Sequence, residues 1–191
     1  YNKENARLQS IRDRQRKDRR RTKRQQILLR DRNNKVNDYI SKAARRIIDD
    51  CLKNDIGRLV VGYQETFQRS ADMGKVNNQS FTSIPYGKLI HKLEYLCERY
   101  GIEFVKQEES YTSKASFWDK DEIPVYEAGI KKEYRFSGKR TYRGMYETGN
   151  GRKINADVNG ALNILRKSRV VSLEGLYSRG EVDTPVRIRI A

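Results

Sequence analysis

Residues 85–107 read PYGKLIHKLEYLCERYGIEFVKQ, a helix pattern that passes into a strand pattern at Gly101. After Pro85, leucines recur at helical spacing. Proline is favoured in the first turn of a helix, and glycine commonly follows the last turn. An earlier apolar run at 58–63, RLVVGY, has the length and β-branched content of a strand. A second strand is predicted over 102–107, and strand, helix and strand in this order predict a βαβ unit with parallel strands. The predicted fold class is therefore α/β.

The segment before this unit is predicted to be helical and basic. Residues 1–55 hold 18 Lys or Arg against 8 Asp or Glu, an excess of ten in a chain whose net charge is +16. From Leu8 to Arg32 few residues are apolar, which is typical of a helix that is solvated or bound to a charged partner. From Val36 to Leu52 apolar residues recur at helical spacing, so this part has one face for a core.

The charge of the whole chain indicates a polyanionic partner. Charged residues make up 35% of the sequence, and the net charge is +16. In a compact fold such an excess of positive side chains is unfavourable, because like charges repel one another. Each Lys or Arg that replaces a counterion on a phosphate backbone adds salt-dependent affinity. The sequence has no apolar window of the roughly 20 residues that a membrane span needs, and no signal-peptide pattern. We therefore expect a cytoplasmic protein that works beside nucleic acid, without a membrane partner.

The cysteines and the histidine restrict the metal chemistry. Cys51 and Cys97 fall on apolar helix faces, where buried thiols in a reducing compartment are the favoured interpretation. His91 is the single histidine, so sites built on a histidine pair are excluded. The sequence has no Cys-x-x-Cys pair, which excludes a structural zinc site of the usual kind. We expect no zinc.

Carboxylates occur at two positions where a nuclease could use them. Glu108 and Glu109 follow the second strand, and open α/β sheets bind ligands beyond the carboxyl ends of their parallel strands. Asp157 lies in the first turn of a helix predicted over 155–167, whose inward residues are expected to be Val158, Ala161, Leu162 and Leu165. Two-metal phosphodiester cleavage needs carboxylates from separate elements around Mg²⁺ or Mn²⁺, where one metal activates water and the other stabilises the leaving oxygen. Each position also has a structural interpretation, a solvated glutamate pair or an aspartate that stabilises its helix end.

The region from 109 to 150 is predicted to be an irregular insertion in which aromatic and basic residues alternate. The aromatic residues are Tyr111, Phe117, Trp118, Tyr126, Tyr134, Phe136, Tyr142 and Tyr146. Such mixing fits the binding of single strands by base stacking and phosphate pairing. A small β-rich subdomain with an aromatic core fits equally well. In the tail, the alternating stretch from Val186 to Ile190 is either an edge strand or no element.

Four ordered motifs resemble the TnpB proteins of bacterial insertion sequences. They are LVVGYQ at 59–64, NNQSF with IPYGKL at 77–89, QEESYTSK at 107–114, and RGMY with INADVNGALNI at 143–164. These proteins, also known as OrfB-type transposases, are related to type V CRISPR effectors and to Fanzor proteins. The resemblance runs from Tyr1 to Lys167. It implies a ribonuclease H-like (RuvC) core and a metal-dependent DNA endonuclease guided by RNA, in the bacterial cytoplasm with the nucleoid.

The resemblance also assigns catalytic residues. The family site has an Asp, a Glu and an Asp, and the closing motif places the last on Asp157. The glutamate beside the YTS motif matches Glu109, with Glu108 as the alternative. These residues would be ligands of Mg²⁺ or Mn²⁺. The first Asp of the family belongs to a strand before the basic helices and has no counterpart here, so we expect an incomplete core and a truncated chain that is inactive alone.

The resemblance further implies a division of the chain. The parts are a basic helical segment at 1–55, a βαβ core at 56–108, an insertion at the zinc-finger position at 109–150, a closing helix at 151–168 and a tail at 169–191. The family's zinc-finger cysteines, expected near Ser116 and Asp119 and again near 138–151, are missing. The expected contacts to DNA or guide RNA are Arg12, Arg16, Arg19, Arg20, Arg21, Arg24, Tyr111, Thr112, Ser113 and Lys114.

Three functions remain open. The first is a transposon-associated, RNA-guided endonuclease, and the second is a nuclease-dead nucleic-acid binder such as an RNA-guided repressor or a transposon remnant. The third is a basic RNA-binding protein unrelated to transposition. The retained pair Glu109 and Asp157 favours the first over the second, and the four motifs argue against the third.

Overall fold

The computed structural model describes residues 1–15, 20–63, 85–126, 133–142, 144–182 and 185–190. The helices in these ranges are α1 (Asn2–Gln15), α2 (Lys23–Lys53), α3 (Tyr86–Tyr100), α4 (Ala156–Ser168) and α5 (Glu174–Arg179). The strands are β1 (Arg58–Tyr63), β2 (Glu103–Glu108), β3 (Lys139–Tyr142), β4 (Met145–Glu147) and β5 (Lys153–Asn155). The chain is thus mixed α/β, as predicted. None of the described helices has the length and apolar composition needed to cross a membrane.

The predicted parallel strand pair is confirmed. β1 and β2 form a two-stranded parallel sheet whose register pairs Leu59 with Phe104 and Gly62 with Gln107. In chain order α3 lies between them, and it ends at Gly101, whose φ of 70° lies in the left-handed region that glycine tolerates. Alternate residues of a strand point to opposite faces, so Leu59 and Gly62 lie on different sides of this sheet.

α2 and α3 pack against the sheet face that carries Leu59 and Phe104. The buried residues of this core are Ala44, Ile48, Cys51, Leu93, Leu96, Cys97 and Ile102. Of the predicted inward positions, those that are buried are Ile40, Ala44, Ile48 and Cys51 on α2 and Leu93, Leu96 and Cys97 on α3, whereas Tyr39 and Leu52, predicted on the inward face of α2, are exposed. The predicted burial of both cysteines is confirmed; they are free thiols, and burial raises the pKa of each.

The predicted helical stretch from Leu8 to Arg32 is interrupted. α1 ends at Gln15, and α2 starts behind Thr22. The Gln25 amide N–H donates to the Thr22 hydroxyl oxygen at 3.3 Å, and the Thr22 amide N–H donates to Oε1 of Gln25 at 3.1 Å. This reciprocal capping box satisfies two amide groups that a helix start leaves open, so α2 begins here.

The insertion is more regular than predicted. β3, β4 and β5 form a three-stranded antiparallel sheet that runs past residue 150, and Tyr146 and Ile154 are buried in it. The described residues therefore match the alternative of a small β-rich subdomain with an aromatic core. Strands of three or four residues carry too little alternation to be visible in the sequence.

α4 follows β5 and packs on the opposite face of the parallel sheet from α2 and α3, where it contacts both strands. Its buried residues are Ala156, Asn159 and Asn163, whereas Ala161, predicted to face inward, is exposed. The buried face is partly polar because both asparagines bond to a neighbouring loop. In the tail the described residues from Val186 to Ile190 form no strand, and α5 was not predicted.

Candidate catalytic and nucleic-acid-binding site

Glu109 directly follows β2, and its carboxyl group lies against β1. A Cβ atom on Gly62 would lie 2.4 Å from Glu109 Oε2 and 2.7 Å from Ile164 Cδ1. The two side chains therefore fill the space that a larger residue at position 62 would need. Burial, together with the charge of Glu108, raises the pKa of Glu109. Among the described residues no group donates a hydrogen bond to this carboxylate, which lies where open α/β sheets bind ligands.

Glu108 has a different environment from its neighbour. Lys167 Nζ on α4 donates to Glu108 Oε2, and the amide N–H of Ser110 donates to Oε1 at 2.7 Å. Burial alone would raise the pKa of Glu108, but the hydrogen bonds from Lys167 and Ser110 outweigh it and lower this pKa. The Lys167 side chain is 8% exposed and also donates to the carbonyl oxygens of Ser110 and Pro124. Glu108 is thus engaged in an ion pair that joins the end of β2 to α4.

Asp157 lies in the first turn of α4 and has an 86% exposed side chain. The helix cap is supplied by Asn155, whose Oδ1 accepts from the amide N–H groups of Asp157 and Val158 at 2.9 and 3.1 Å. Arg140 Nη2 on β3 donates to Asp157 Oδ1 at 3.3 Å. The carboxylate of Asp157 therefore does not cap the helix, and its only polar partner among the described residues is an exposed arginine.

The carboxylates do not form a complete metal site within the described residues. No three Asp, Glu, His or Cys side chains there are placed to hold one metal ion. Ile164, which borders the same space at Gly62 as Glu109, follows Asp157 by seven residues, roughly 10 Å along the helix axis. Carboxylate oxygens suit Mg²⁺ and Mn²⁺, but two ligands are too few to hold a metal pair.

Two buried asparagines of α4 fix the loop that follows Glu109. The amide N–H of Phe117 donates to Asn159 Oδ1 at 3.0 Å, and Asn159 Nδ2 donates to the carbonyl of Ala115 at 2.8 Å. Asn163 Nδ2 donates to the carbonyls of Thr112 and Ala115 at 2.9 and 2.7 Å. Neither residue is predicted as a site residue from the sequence. The available signal was a pair of asparagines four residues apart on an otherwise apolar helix face.

The predicted nucleic-acid contacts in this loop are not equivalent. Thr112 is buried, and its hydroxyl donates to the carbonyl of Glu109 at 2.8 Å, so its role is structural. Ser113 and Lys114 are exposed. The Tyr111 ring is half-buried and packs edge-on against Tyr134 with centroids 5.0 Å apart. Three of the four residues thus contribute to the surface beside Glu109.

The predicted arginine contacts also differ in exposure. Arg12 is buried, and its guanidinium donates to Asp13 Oδ1 through Nε at 2.8 Å and Nη2 at 2.6 Å. The prediction that Arg12 lies along a phosphate backbone does not fit this burial. The exposed members are Arg20, Arg21 and Arg24. Arg16 and Arg19 lie outside the described residues.

A hydrogen-bond network occupies the position of the expected zinc finger. Asp119 Oδ2 accepts from Ser116 Oγ at 2.5 Å and from the Gly149 amide at 2.7 Å. Asp121 Oδ2 accepts from the amides of Ser116 and Ser137 at 2.8 and 3.0 Å, and Ser137 Oγ donates to Oδ1 at 2.5 Å. These carboxylates join three chain segments. The side-chain atoms that could bind a metal here are oxygens. Structural zinc sites use the sulfur of Cys and the nitrogen of His, so these residues do not fit zinc.

The aromatic residues of the insertion divide into core and surface. The Tyr146 hydroxyl donates to the carbonyl of Lys114 at 2.8 Å, and burial with the nearby charge of Asp121 raises the pKa of Tyr146 to about 12. Phe117 is buried and stacks on Tyr177 of α5 with centroids 4.7 Å apart. Tyr126 and Tyr142, in contrast, are exposed.

Comparisons with known proteins agree with this architecture. A family model described as "Cas12f1-like, TNB domain" matches residues 86–164, and one described as "Probable transposase" (OrfB_IS605) matches residues 1–68. The chain is also similar to a protein in a cryo-EM structure of a Cas12f1–sgRNA–target DNA complex, with 25% sequence identity and a TM-score of 0.57. That match covers 85% of this chain and 40% of the other one. No curated protein matches significantly.

Proposed function

The chain is of the TnpB type, as the two family models and the structural match support, and on this premise we propose that it is part of an RNA-guided DNA endonuclease. The core in this proposal is RuvC-like, with residues 56–108 and 151–168 as its sheet and closing helix. Residues 109–150 are the insertion that approaches the target. The activity would place the protein with the nucleoid in the bacterial cytoplasm.

The observation that carries the proposal is the placement of Glu109. A carboxyl group held at the end of two parallel strands, half-buried and without a hydrogen-bond donor among the described residues, is costly when ionised. A divalent cation bound there would stabilise the ionised form, because an opposite charge lowers a carboxyl pKa. The ammonium group of Lys167 already stabilises the ionised form of Glu108. We therefore assign Glu109, with Asp157, as ligands of Mg²⁺ or Mn²⁺.

DNA and guide RNA are the proposed partners. The similar protein was solved with an sgRNA and target DNA, and the net charge of +16 suits polyanions. The exposed residues Arg20, Arg21 and Arg24 would contact phosphates. Ser113 and Lys114, in the loop that α4 fixes beside Glu109, would contact the strand that is cut.

A nuclease-dead nucleic-acid binder is the second candidate. The observation that favours it is the absence, among the described residues, of three metal ligands in one place. Under either candidate we expect the chain by itself to bind nucleic acid and not to cleave it. The two differ in whether Glu109 and Asp157 still bind a cation.

The test is Mn²⁺ binding by the full chain, measured by electron paramagnetic resonance with the variants Glu109→Gln and Asp157→Asn. The endonuclease proposal predicts weak binding that each variant reduces. Glu94→Gln is the control, because Glu94 pairs with Lys106 on the other side of the sheet. Binding that is equal in all variants would favour the nuclease-dead candidate. Mn²⁺-dependent cleavage that Asp157→Asn abolishes would contradict the expected inactivity of the chain.

A further inference from the structure

A groove opens where the start of α3 meets α1 and α2. It encloses about 610 Å³, within the size range of pockets for small organic ligands. Its apolar lining includes Val36, Ile40, Ala43, Pro85 and Leu89. Three tyrosines also line it, Tyr1, Tyr39 and Tyr86, with exposures of 44%, 55% and 42%. The groove thus presents several aromatic rings to solvent above an apolar floor.

Among the described residues, the charged side chains that line the groove are both cations, Arg32 and Lys35. The guanidinium of Arg32 lies over the ring of Tyr1, 5.5 Å from its centroid. The four carboxylates of α2 pair with cations that do not line the groove. These pairs are Asp31 with Arg30, Asp38 with Lys42, Asp49 with Arg45, and Asp50 with Arg46. The carboxylates of the helix are therefore engaged elsewhere, and the groove keeps a positive lining.

We propose that this groove binds an unpaired segment of RNA. A single strand offers flat bases that stack on aromatic rings and phosphates that pair with cations, which is the combination the groove presents. Asn2 and the three tyrosines that line the groove carry hydrogen-bonding groups of the kind that contact a 2′-hydroxyl, the group by which proteins distinguish RNA from DNA. A second copy of the chain fits less well, because it would bring like charges together in a protein of net charge +16.

This site is separate from the proposed catalytic residues. α2 and α3 cover one face of the parallel sheet, whereas Glu109 borders Gly62 and Ile164 on the face that α4 covers. RNA binding in the groove therefore does not require metal binding at Glu109 or Asp157. Either proposal can fail while the other holds.

The experiment measures the affinity of the full chain for a fluorescein-labelled 12-nucleotide oligouridine by fluorescence anisotropy at several salt concentrations. Each stacked base contributes about 1–3 kcal/mol, so Tyr39→Ala/Tyr86→Ala should weaken binding by at least about tenfold. Its salt dependence should be unchanged. Arg32→Gln/Lys35→Gln should lower the slope of log K against log salt by about 1.4, since each phosphate contact to a single strand contributes about 0.7.

The matched control is Tyr95→Ala, which removes a 57% exposed tyrosine of the same helix α3 that does not line the groove. Circular dichroism establishes that all variants are folded. Tyr39→Phe/Tyr86→Phe should keep most of the affinity for RNA and lose part of the preference over oligodeoxyuridine.

The proposal fails if the double alanine variant binds like the wild type, or if Tyr95→Ala weakens binding equally. Equal affinity for the DNA oligomer would overturn the assignment to RNA. Displacement of the oligomer by a peptide of alternating Glu and Tyr, with loss of that displacement in Tyr39→Ala/Tyr86→Ala, would instead assign the groove to an acidic protein segment.

Discussion

Replacing Gly62 with Ala would place a methyl group 2.4 Å from Glu109 Oε2 and 2.7 Å from Ile164 Cδ1. Both distances are far below van der Waals contact, so at least one side chain must move. Overpacking of this kind costs about 1–3 kcal/mol of folding free energy. For a chain of this size each kcal/mol lowers Tm by roughly 2–4 °C. Gly160→Ala is the control, because no atom lies within 4 Å of its Cβ position and alanine favours a helix by about 0.5–1 kcal/mol.

A double-mutant cycle attributes the loss to the glutamate. In a Glu109→Ala background the carboxyl group is absent, and the cost of Gly62→Ala should fall by at least about 0.5 kcal/mol, the scale of coupling between residues in contact. The assay is urea denaturation of the four proteins. Free energies that add within about 0.3 kcal/mol would refute the placement of Glu109 against β1.

Three further predictions concern the pH dependence of stability, the absence of an effect of metal removal, and the attachment of the loop 112–117 to α4. Because burial and the charge of Glu108 raise the pKa of Glu109, stability should be lost as pH rises above the ordinary carboxyl value of 4.5. In calorimetry the Glu109→Gln variant should therefore have a higher Tm than the wild type at pH 7 and the same Tm as the wild type at pH 4. The same difference in Tm at both pH values would contradict this. Asp121→Asn should cost about 1–2 kcal/mol while EDTA leaves Tm unchanged; a lower Tm in EDTA would show a bound metal. Asn163→Ala should cost about 1–3 kcal/mol and speed hydrogen exchange at 112–117, and unchanged exchange would count against the attachment.

The βαβ unit is predictable because its signals are local. The spacing of leucines in α3, the apolar run of β1 and the glycine at 101 each follow from a few neighbouring residues. The first residue of β2 was misplaced by one position, since Ile102 is buried and apolar but lies before the strand. Local signals also fixed the parallel pairing, because a helix between two strands leaves few alternatives.

The buried face of α4 was not predictable by the same means. Apolar periodicity selects residues such as Ala161, whereas the helix buries Asn159 and Asn163, whose Nδ2 groups donate to main-chain carbonyls of a distant loop. The burial of Arg12 was missed for a related reason. A sequence pattern does not show which polar side chains find partners in the folded chain.

The position of Glu108 and Glu109 at the end of β2 could be predicted, but their different environments could not. Adjacent glutamates after a strand look alike in sequence, and Glu108 and Glu109 differ only through tertiary neighbours. Lys167, which pairs with Glu108, is 59 residues away along the chain, and Gly62 borders Glu109 from the other strand. The network that stands at the zinc-finger position was also invisible, because serines and aspartates in loops are common and their bonding is not local.

The hydrogen bonds between α4 and the loop after Glu109 determine which residues of the helix and of the loop can be replaced in evolution. Within the described ranges, the side chains of Asn159 and Asn163 bond only to main-chain atoms of the loop, at Thr112, Ala115 and Phe117. Every amino acid except proline offers the same main-chain groups. The exposed side chains of the loop, including Ser113 and Lys114, can therefore be replaced while the attachment persists. The two asparagines have no such freedom, since each must keep its amide.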